Sequence, residues 1–140
     1  MLFYYTEAEK KQEMIPMNST LFSAKAPAAI GPYSQAVNSD GYIFVSGQLP
    51  INVITGKLGE GIEEQTRLSL ENIRSILESG GLSMEAVVKT TVFMTDLSNF
   101  GPMNEIYGKF FTDSFPARST IQVAALPKGA SIEIECIAKA

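Results

Sequence analysis

Hydrophobic positions along the chain recur at two spacings, and the switches between them divide the sequence into predicted elements. Tyr33–Val37 and Tyr42–Ser46 read as two strands around Ser39-Asp40-Gly41, where Asp-Gly is the strongest short hairpin signal in the chain. Before them, Leu21 to Ala29 reads as extended. Ile30-Gly31-Pro32 then bends, because a residue before proline is pushed out of the helical region. Asn52 to Gly61 is glycine-punctuated and reads as a loop. From Ile62 to Ser79 the spacing becomes helical, with Ile62, Thr66, Leu70, Ile73, Ile76 and Leu77 on one face and Gly80-Gly81 as the stop. Glu63 and Glu64 lie in its first turn, where the helix dipole favours negative charge.

Val87 to Thr95 is rich in β-branched residues and reads as a central strand. Asp96 to Asn99 is a turn, and Pro102 suits the start of a second helix, Met103 to Thr112, whose stripe Met103, Ile106, Tyr107, Phe110 and Phe111 reads as core. Two further strands, Ser119 to Ala124 and Ile132 to Ile137, flank a Pro127-Lys128-Gly129 turn and read as an antiparallel pair. The order strand, strand, helix, strand, helix, strand, strand predicts a layered α+β domain with both helices against one face of a mixed sheet.

Residues 1–16 differ in texture from the rest of the chain and lack the basic leader and long apolar run of a secretory signal. Gln12-Glu13 can be encoded by a purine run resembling a bacterial ribosome-binding site just upstream of Met17. Residues 1–16 are therefore read as a leader that includes a short helix around Thr6 to Glu13. Residues 17–140 are read as the single domain, with Met17 the expected start.

Composition removes more chemistry than it suggests. There is no histidine among the 140 residues, so histidine acid/base steps, Ser-His-Asp and Cys-His systems and HExxH zinc sites are unavailable. The one cysteine, Cys136, shares the apolar face of its strand with Ile134 and reads as core; a single cysteine fits a reducing cytoplasm. No metal or organic cofactor is implied. A net charge of −4 with no basic cluster argues against nucleic acid as a partner, and no apolar stretch approaches the roughly 20 residues that span a bilayer. Thr55-Gly56-Lys57 is not a phosphate loop, since the first glycine of that pattern is replaced by Ile51 and Leu58 follows the lysine.

What remains for chemistry is concentrated between Phe115 and Ile137. Arg118 stands next to Pro116-Ala117, and Glu133 lies between Ile132 and Ile134, so alternation turns it to the opposite face with Glu135. If the two strands pair, an arginine and a carboxylate meet beside the hairpin. A guanidinium fork suits a carboxylate ligand, and a glutamate can orient or deprotonate a water. On these residues alone, a structural salt bridge or a solvated edge is the commoner outcome. Gly47, in Ser46-Gly47-Gln48, marks either a bulge or a place where another backbone or a ligand comes close.

Five segments taken in order resemble one family: Ala26-Pro27-Ala28-Ala29-Ile30-Gly31-Pro32-Tyr33-Ser34-Gln35, Ser46-Gly47-Gln48, Val88-Lys89-Thr90-Thr91-Val92-Phe93, Phe115-Pro116-Ala117-Arg118-Ser119 and Ile132-Glu133-Ile134-Glu135. From Ala26 to the C-terminus the chain is similar to the RidA/YjgF family of reactive-intermediate deaminases. The resemblance implies a chorismate-mutase-like α+β fold with a mixed sheet of about six strands and two helices on one face. It also implies a homotrimer with clefts between subunits. There Arg118 grips the carboxylate of a 2-imino acid and Glu133 positions the hydrolytic water, with Tyr33, Ser46, Gly47 and Asn104 lining the cleft. Many members carry cysteine after the Arg-Ser pair; Thr120 takes its place here and removes any thiol from the site. Without the resemblance, Tyr33 is as well explained by packing, Ser46 and Gly47 by a strand end, and Asn104 by the first turn of a helix.

The implied activity is hydrolytic deamination of 2-iminobutanoate and 2-iminopropanoate to 2-keto acids and ammonia, without a cofactor. Backbone groups near Gly47 and Thr120 are placed to contact such a substrate. The alternative is a non-catalytic trimeric binding module, a sensor for small 2-keto acids using the same arginine. A ribonuclease or translation-inhibitor role, attached to some relatives, is opposed by the acidic charge and the missing histidine.

Overall fold

The Asp-Gly signal forms the expected hairpin. Strands β2 (Ala36–Ser39) and β3 (Tyr42–Gln48) pair antiparallel, with Asp40 at φ 53° and Gly41 at φ 84° between them. Two successive positive φ values are what a two-residue turn needs to match strand twist, and Asp and Gly tolerate them. The structure is a computed structural model that describes residues 18–140; the leader helix and the start at Met17 lie outside the described residues. The described chain begins with a short strand, β1 (Ser19–Leu21), which pairs with β2 and meets the segment expected to be extended only at Leu21. β2 starts at Ala36, so Tyr33 lies in the bend before the strand rather than at its head.

Helix α1 (Gly61–Ser79) buries Ile62, Thr66, Leu70, Ile73, Ile76 and Leu77, the face expected from spacing. It ends where glycine permits: Gly81 has φ 77° and donates to Glu78 O, while Leu82 donates back to Leu77 O. Strand β4 (Val87–Met94) follows, then helix α2 (Phe100–Gly108), strand β5 (Ala117–Gln122) and strand β6 (Ile132–Lys139). Helix α2 starts and ends earlier than its spacing predicts. Phe111 is nonetheless buried, packing on Tyr107 from beyond the last turn.

The sheet order is β1-β2-β3-β6-β4-β5, mixed because β4 and β5 run parallel while every other pair is antiparallel. This corrects one expectation: β5 and β6 do not form a hairpin, because β4 lies between them. Gln122 and Ile132 both pair with Met94, and the Pro127–Gly129 turn belongs to a loop arching over the end of β4. Alternation reveals a strand's buried face but not its neighbour, and a long β-branched strand such as β4 can fill both of its edges.

A single core joins α1 and α2 to the inner residues of β3, β4 and β6, including Ile43, Val45, Val92, Met94, Ile132, Ile134 and Cys136. Leu70, Ile73, Ile76 and Leu77 are fully buried, each contributing about 1.5–3 kcal/mol. The other face of the sheet has no covering layer among the described residues. Tyr42, Phe44 and Ile121 stand exposed there.

Candidate functional site

The register decides where the two central residues go. Arg118 on β5 pairs with Thr90 on β4, and Glu133 on β6 pairs with Phe93 on β4. Thr90 and Phe93 are three positions apart on one strand, so their side chains leave opposite faces of the sheet. Arg118 therefore lies on the helix side and Glu133 on the uncovered side. The meeting of arginine and carboxylate beside a hairpin does not occur within one chain, and neither does the structural salt bridge between them.

On the helix side, one face of α2 receives the arginine. Phe100, Asn104 and Tyr107 recur at i, i+4 and i+7, the spacing that stacks side chains along a helix. Arg118 Nη1 donates to Asn104 Oδ1 at 2.8 Å. Its guanidinium carbon sits 4.8 Å from the centre of the Tyr107 ring and 5.4 Å from that of Phe100, both within cation–π range. Tyr107 is in turn tied to the sheet by a 2.7 Å hydrogen bond between its hydroxyl and Thr90 Oγ1. Burial of the ring pushes the Tyr107 hydroxyl pKa up, against the opposing pull of the Thr90 bond and the Arg118 charge. A recess of about 470 Å³ opens here, lined by Asn104, Tyr107, Gly108, Phe115, Pro116 and Arg118. Among the described residues, no carboxylate lies within ion-pair distance of Arg118; Arg67, with Glu64 and Glu71, is the paired arginine.

On the uncovered side, β3 breaks register with β6 between Val45 and Gln48, so Ser46-Gly47 forms a bulge. Glu133 packs against it. A Cβ on Gly47 would stand 2.7 Å from Glu133 Oε1 and 2.8 Å from its Cδ, so only glycine leaves room for the carboxylate. The bulge reading of Gly47 holds, and what comes close to it is the Glu133 side chain, where a backbone or a ligand was expected. Burial raises the Glu133 pKa above the usual carboxylate value, and the negative charge of Glu135 adds to it. Ser46 fixes the neighbouring segment: its Oγ donates to Ser34 O at 2.6 Å and its N–H to Gln35 O at 2.9 Å. Tyr33 is half exposed, and its hydroxyl oxygen accepts from Ile30 N–H at 3.3 Å, leaving its own proton to donate. A recess of about 620 Å³ lies here, walled by Tyr33, Ser46, Gly47 and Glu133 with Ile30, Ile51, Val53 and Lys128.

The residues singled out in the sequence thus fall into two groups. Arg118 and Asn104 share one recess; Tyr33, Ser46, Gly47 and Glu133 share the other. Thr120 lines neither. It sits two positions along β5 from Arg118 on the same side, opposite Val92, and its buried Oγ1 finds no partner among the described residues. Two contributors escaped sequence reasoning. Tyr107 reads as core, and only the i, i+4, i+7 relation to Asn104 and Phe100 hints that it shares a face with a polar site. Gln35 is buried, accepting from Ser23 N–H at 2.7 Å and donating to Pro27 O at 2.9 Å, and so pins the loop that carries Ile30 and Tyr33.

Cys136 is buried and its thiol is pushed up to about 12, mainly by burial, which keeps it protonated. Among the described residues no cluster of three His, Cys, Asp or Glu side chains is arranged to hold a metal ion. No described helix is long and apolar enough to cross a membrane.

Residues 23–140 match the family described as endoribonuclease L-PSP. The 2-iminobutanoate/2-iminopropanoate deaminase of Escherichia coli is 47% identical over 125 residues, spanning 87% of this chain and 98% of the relative. Among solved structures, the YjgF gene product of E. coli superposes with a TM-score of 0.84 at 47% identity, over 86% of this chain and 98% of that one. E. coli TdcF, solved with bound serine, gives a TM-score of 0.84 at 43% identity, over 87% and 98%. This chain belongs to the endoribonuclease L-PSP family, which takes in the RidA and YjgF proteins its motifs resemble.

Proposed function

We propose that the protein hydrolyses 2-iminobutanoate, 2-iminopropanoate and related 2-imino acids to 2-keto acids and ammonia, at sites completed between the subunits of a chorismate-mutase-like homotrimer. The observation that carries the reading is Arg118: a partly buried cation, anchored on one nitrogen by Asn104, with its remaining donors facing a recess that offers no carboxylate. A ligand carboxylate completes that arrangement with charge-assisted hydrogen bonds. The relative named as a 2-iminobutanoate/2-iminopropanoate deaminase supports the choice of ligand, and so does the neighbour solved with serine, a small carboxylate.

An imine carbon is already electrophilic, so the catalyst has to hold the carboxylate, place a water and manage protons. Glu133, with a raised pKa, accepts a proton from water as its oxygen bonds to C2. That proton passes to the imine nitrogen to give a carbinolamine; Glu133 then takes the proton of the C2 hydroxyl and returns it to the amino nitrogen as the C–N bond breaks, so ammonia leaves and the hydroxyl oxygen becomes the keto oxygen. Tyr33 and the Ser46-Gly47 bulge wall the same recess, and Thr120 leaves no thiol beside the arginine. Because Arg118 and Glu133 leave opposite faces of the sheet, one chain supplies each half of a site and a neighbouring copy supplies the other. The uncovered sheet face, with Tyr42, Phe44 and Ile121 exposed, is the surface we assign to assembly. The lone buried cysteine suits the cytoplasm. The family description names a ribonuclease, but a chain without histidine and with net charge −4 is poorly equipped to bind and cleave RNA.

The direct test adds the protein to a threonine dehydratase or amino-acid oxidase reaction and follows ammonia or keto-acid release. Release faster than spontaneous imine decay is expected. Tight binding of 2-oxobutanoate with unchanged imine decay would instead identify a sensor.

A further inference from the structure

Arg118, Thr90 and Tyr107 close a triangle that links β5, β4 and α2. Thr90 is the register partner of Arg118 across the parallel strands, its Oγ1 lies 2.7 Å from the Tyr107 hydroxyl, and the Tyr107 ring lies under the Arg118 guanidinium. Thr90 and Tyr107 are both buried, at 1% and 4% exposure, so water does not replace this hydrogen bond if it is lost. The core alone does not require a hydroxyl at either position: phenylalanine and valine would fill the same volumes. The polar atoms fix the rotation of one helix face relative to β4, the strand against which the arginine's own strand is paired.

From this we infer that Tyr107 is a positioning residue, latched by the Thr90 hydroxyl, that sets the plane of the Arg118 guanidinium for an incoming carboxylate. The inference rests on the deaminase reading and adds two residues to it. Asn104 fixes one nitrogen of the fork, which leaves the guanidinium free to swing about that contact. The ring beneath removes that freedom, because a cation over an aromatic face is held in distance and tilt. Bidentate recognition needs the plane of the fork to match the carboxylate, so its tilt matters as well as its charge.

The test uses the full chain and two readouts, 2-oxobutanoate binding and 2-iminobutanoate hydrolysis. Tyr107→Phe keeps the ring and opens the latch from one side; Thr90→Val opens it from the other; Thr90→Ser keeps it closed. The two opening variants are expected to raise KM and the 2-oxobutanoate Kd about 3- to 10-fold, with kcat changed by less than about twofold. Thr90→Ser should match the parent. The double variant should be no worse than the weaker single, since both break one bond. In an Arg118→Met background, Tyr107→Phe should cost nothing further. If both opening variants bind 2-oxobutanoate like the parent, or if the loss persists in full without Arg118, the inference is wrong while the deaminase reading stands. A parent that neither binds 2-oxobutanoate nor speeds imine hydrolysis overturns both.

Discussion

The two recesses are built from different parts. Around Arg118 the walls are elements: one face of α2 and the start of β5, with the guanidinium fixed by a 2.8 Å hydrogen bond and two aromatic rings. Around Glu133 the walls are a bulge and loops, the recess is larger, and the carboxylate rests against a glycine instead of a donor. The difference matches the tasks proposed for them. Holding a carboxylate requires a rigid, oriented cation. Moving a proton requires a carboxylate whose charge is mildly disfavoured and which retains some freedom, and burial beside Glu135 supplies the first.

Mixing two inactive variants offers the largest effect, because it asks whether the halves come from different copies. Arg118→Ala and Glu133→Ala should each be nearly inactive and each still assemble. Unfolded together and refolded as mixed trimers, they should recover about a quarter of parental activity, the fraction of sites that draw an intact arginine from one subunit and an intact glutamate from the next. A mixture that stays inactive, although light scattering shows trimers and exchange is demonstrated, would break the shared-site model.

The helix periods and the β-branched run at Val87 made α1, β4 and the α+β architecture legible, because hydrophobic spacing reports burial directly. Alternation likewise placed Glu133 on the face away from the core. What could not be read was which strands are neighbours. The same alternating residues Ile132, Ile134 and Cys136 serve a strand paired with β5 or with β3 and β4, and that choice, together with the face Arg118 takes on β5, decides whether Arg118 and Glu133 meet. Tyr107 was hidden for a different reason. Its burial is real, so the core reading of the stripe holds, and its second role lies in a hydroxyl that period arguments do not weigh.

Gly47→Ala separates the two recesses with a smaller effect. The new methyl would occupy the space of the Glu133 carboxylate, and that flexible end would swing aside, so the fold should survive. Displacing a catalytic group by about an ångström should lower kcat roughly 10- to 100-fold. Binding of 2-oxobutanoate at Arg118 should change little. Equal losses in kcat and in keto-acid affinity would mean that the two recesses are not the independent halves described.

The smallest expected effect is a gain in stability, and it tests the electrostatic side of the comparison. In the folded chain, burial and the charge of Glu135 hold the Glu133 pKa above its unfolded value. Between those two values the folded state keeps a proton that the unfolded state has released. Stability therefore falls as pH rises through the window and stays lowered above it. Glu133→Gln has no proton to lose and escapes that penalty. At neutral pH the variant should melt about 1–3 °C higher than the parent, a modest shift because the group is only partly buried and is screened by solvent. Below the ordinary carboxylate range, where Glu133 is protonated in both states, the difference should vanish. Turnover should be largely lost at the same time, since an amide can position a water but cannot take its proton. A variant that melts lower than the parent at neutral pH would show that the Glu133 charge is stabilised in the assembled protein, as the neighbouring copy's Arg118 would do, and that burial and Glu135 do not govern its protonation there.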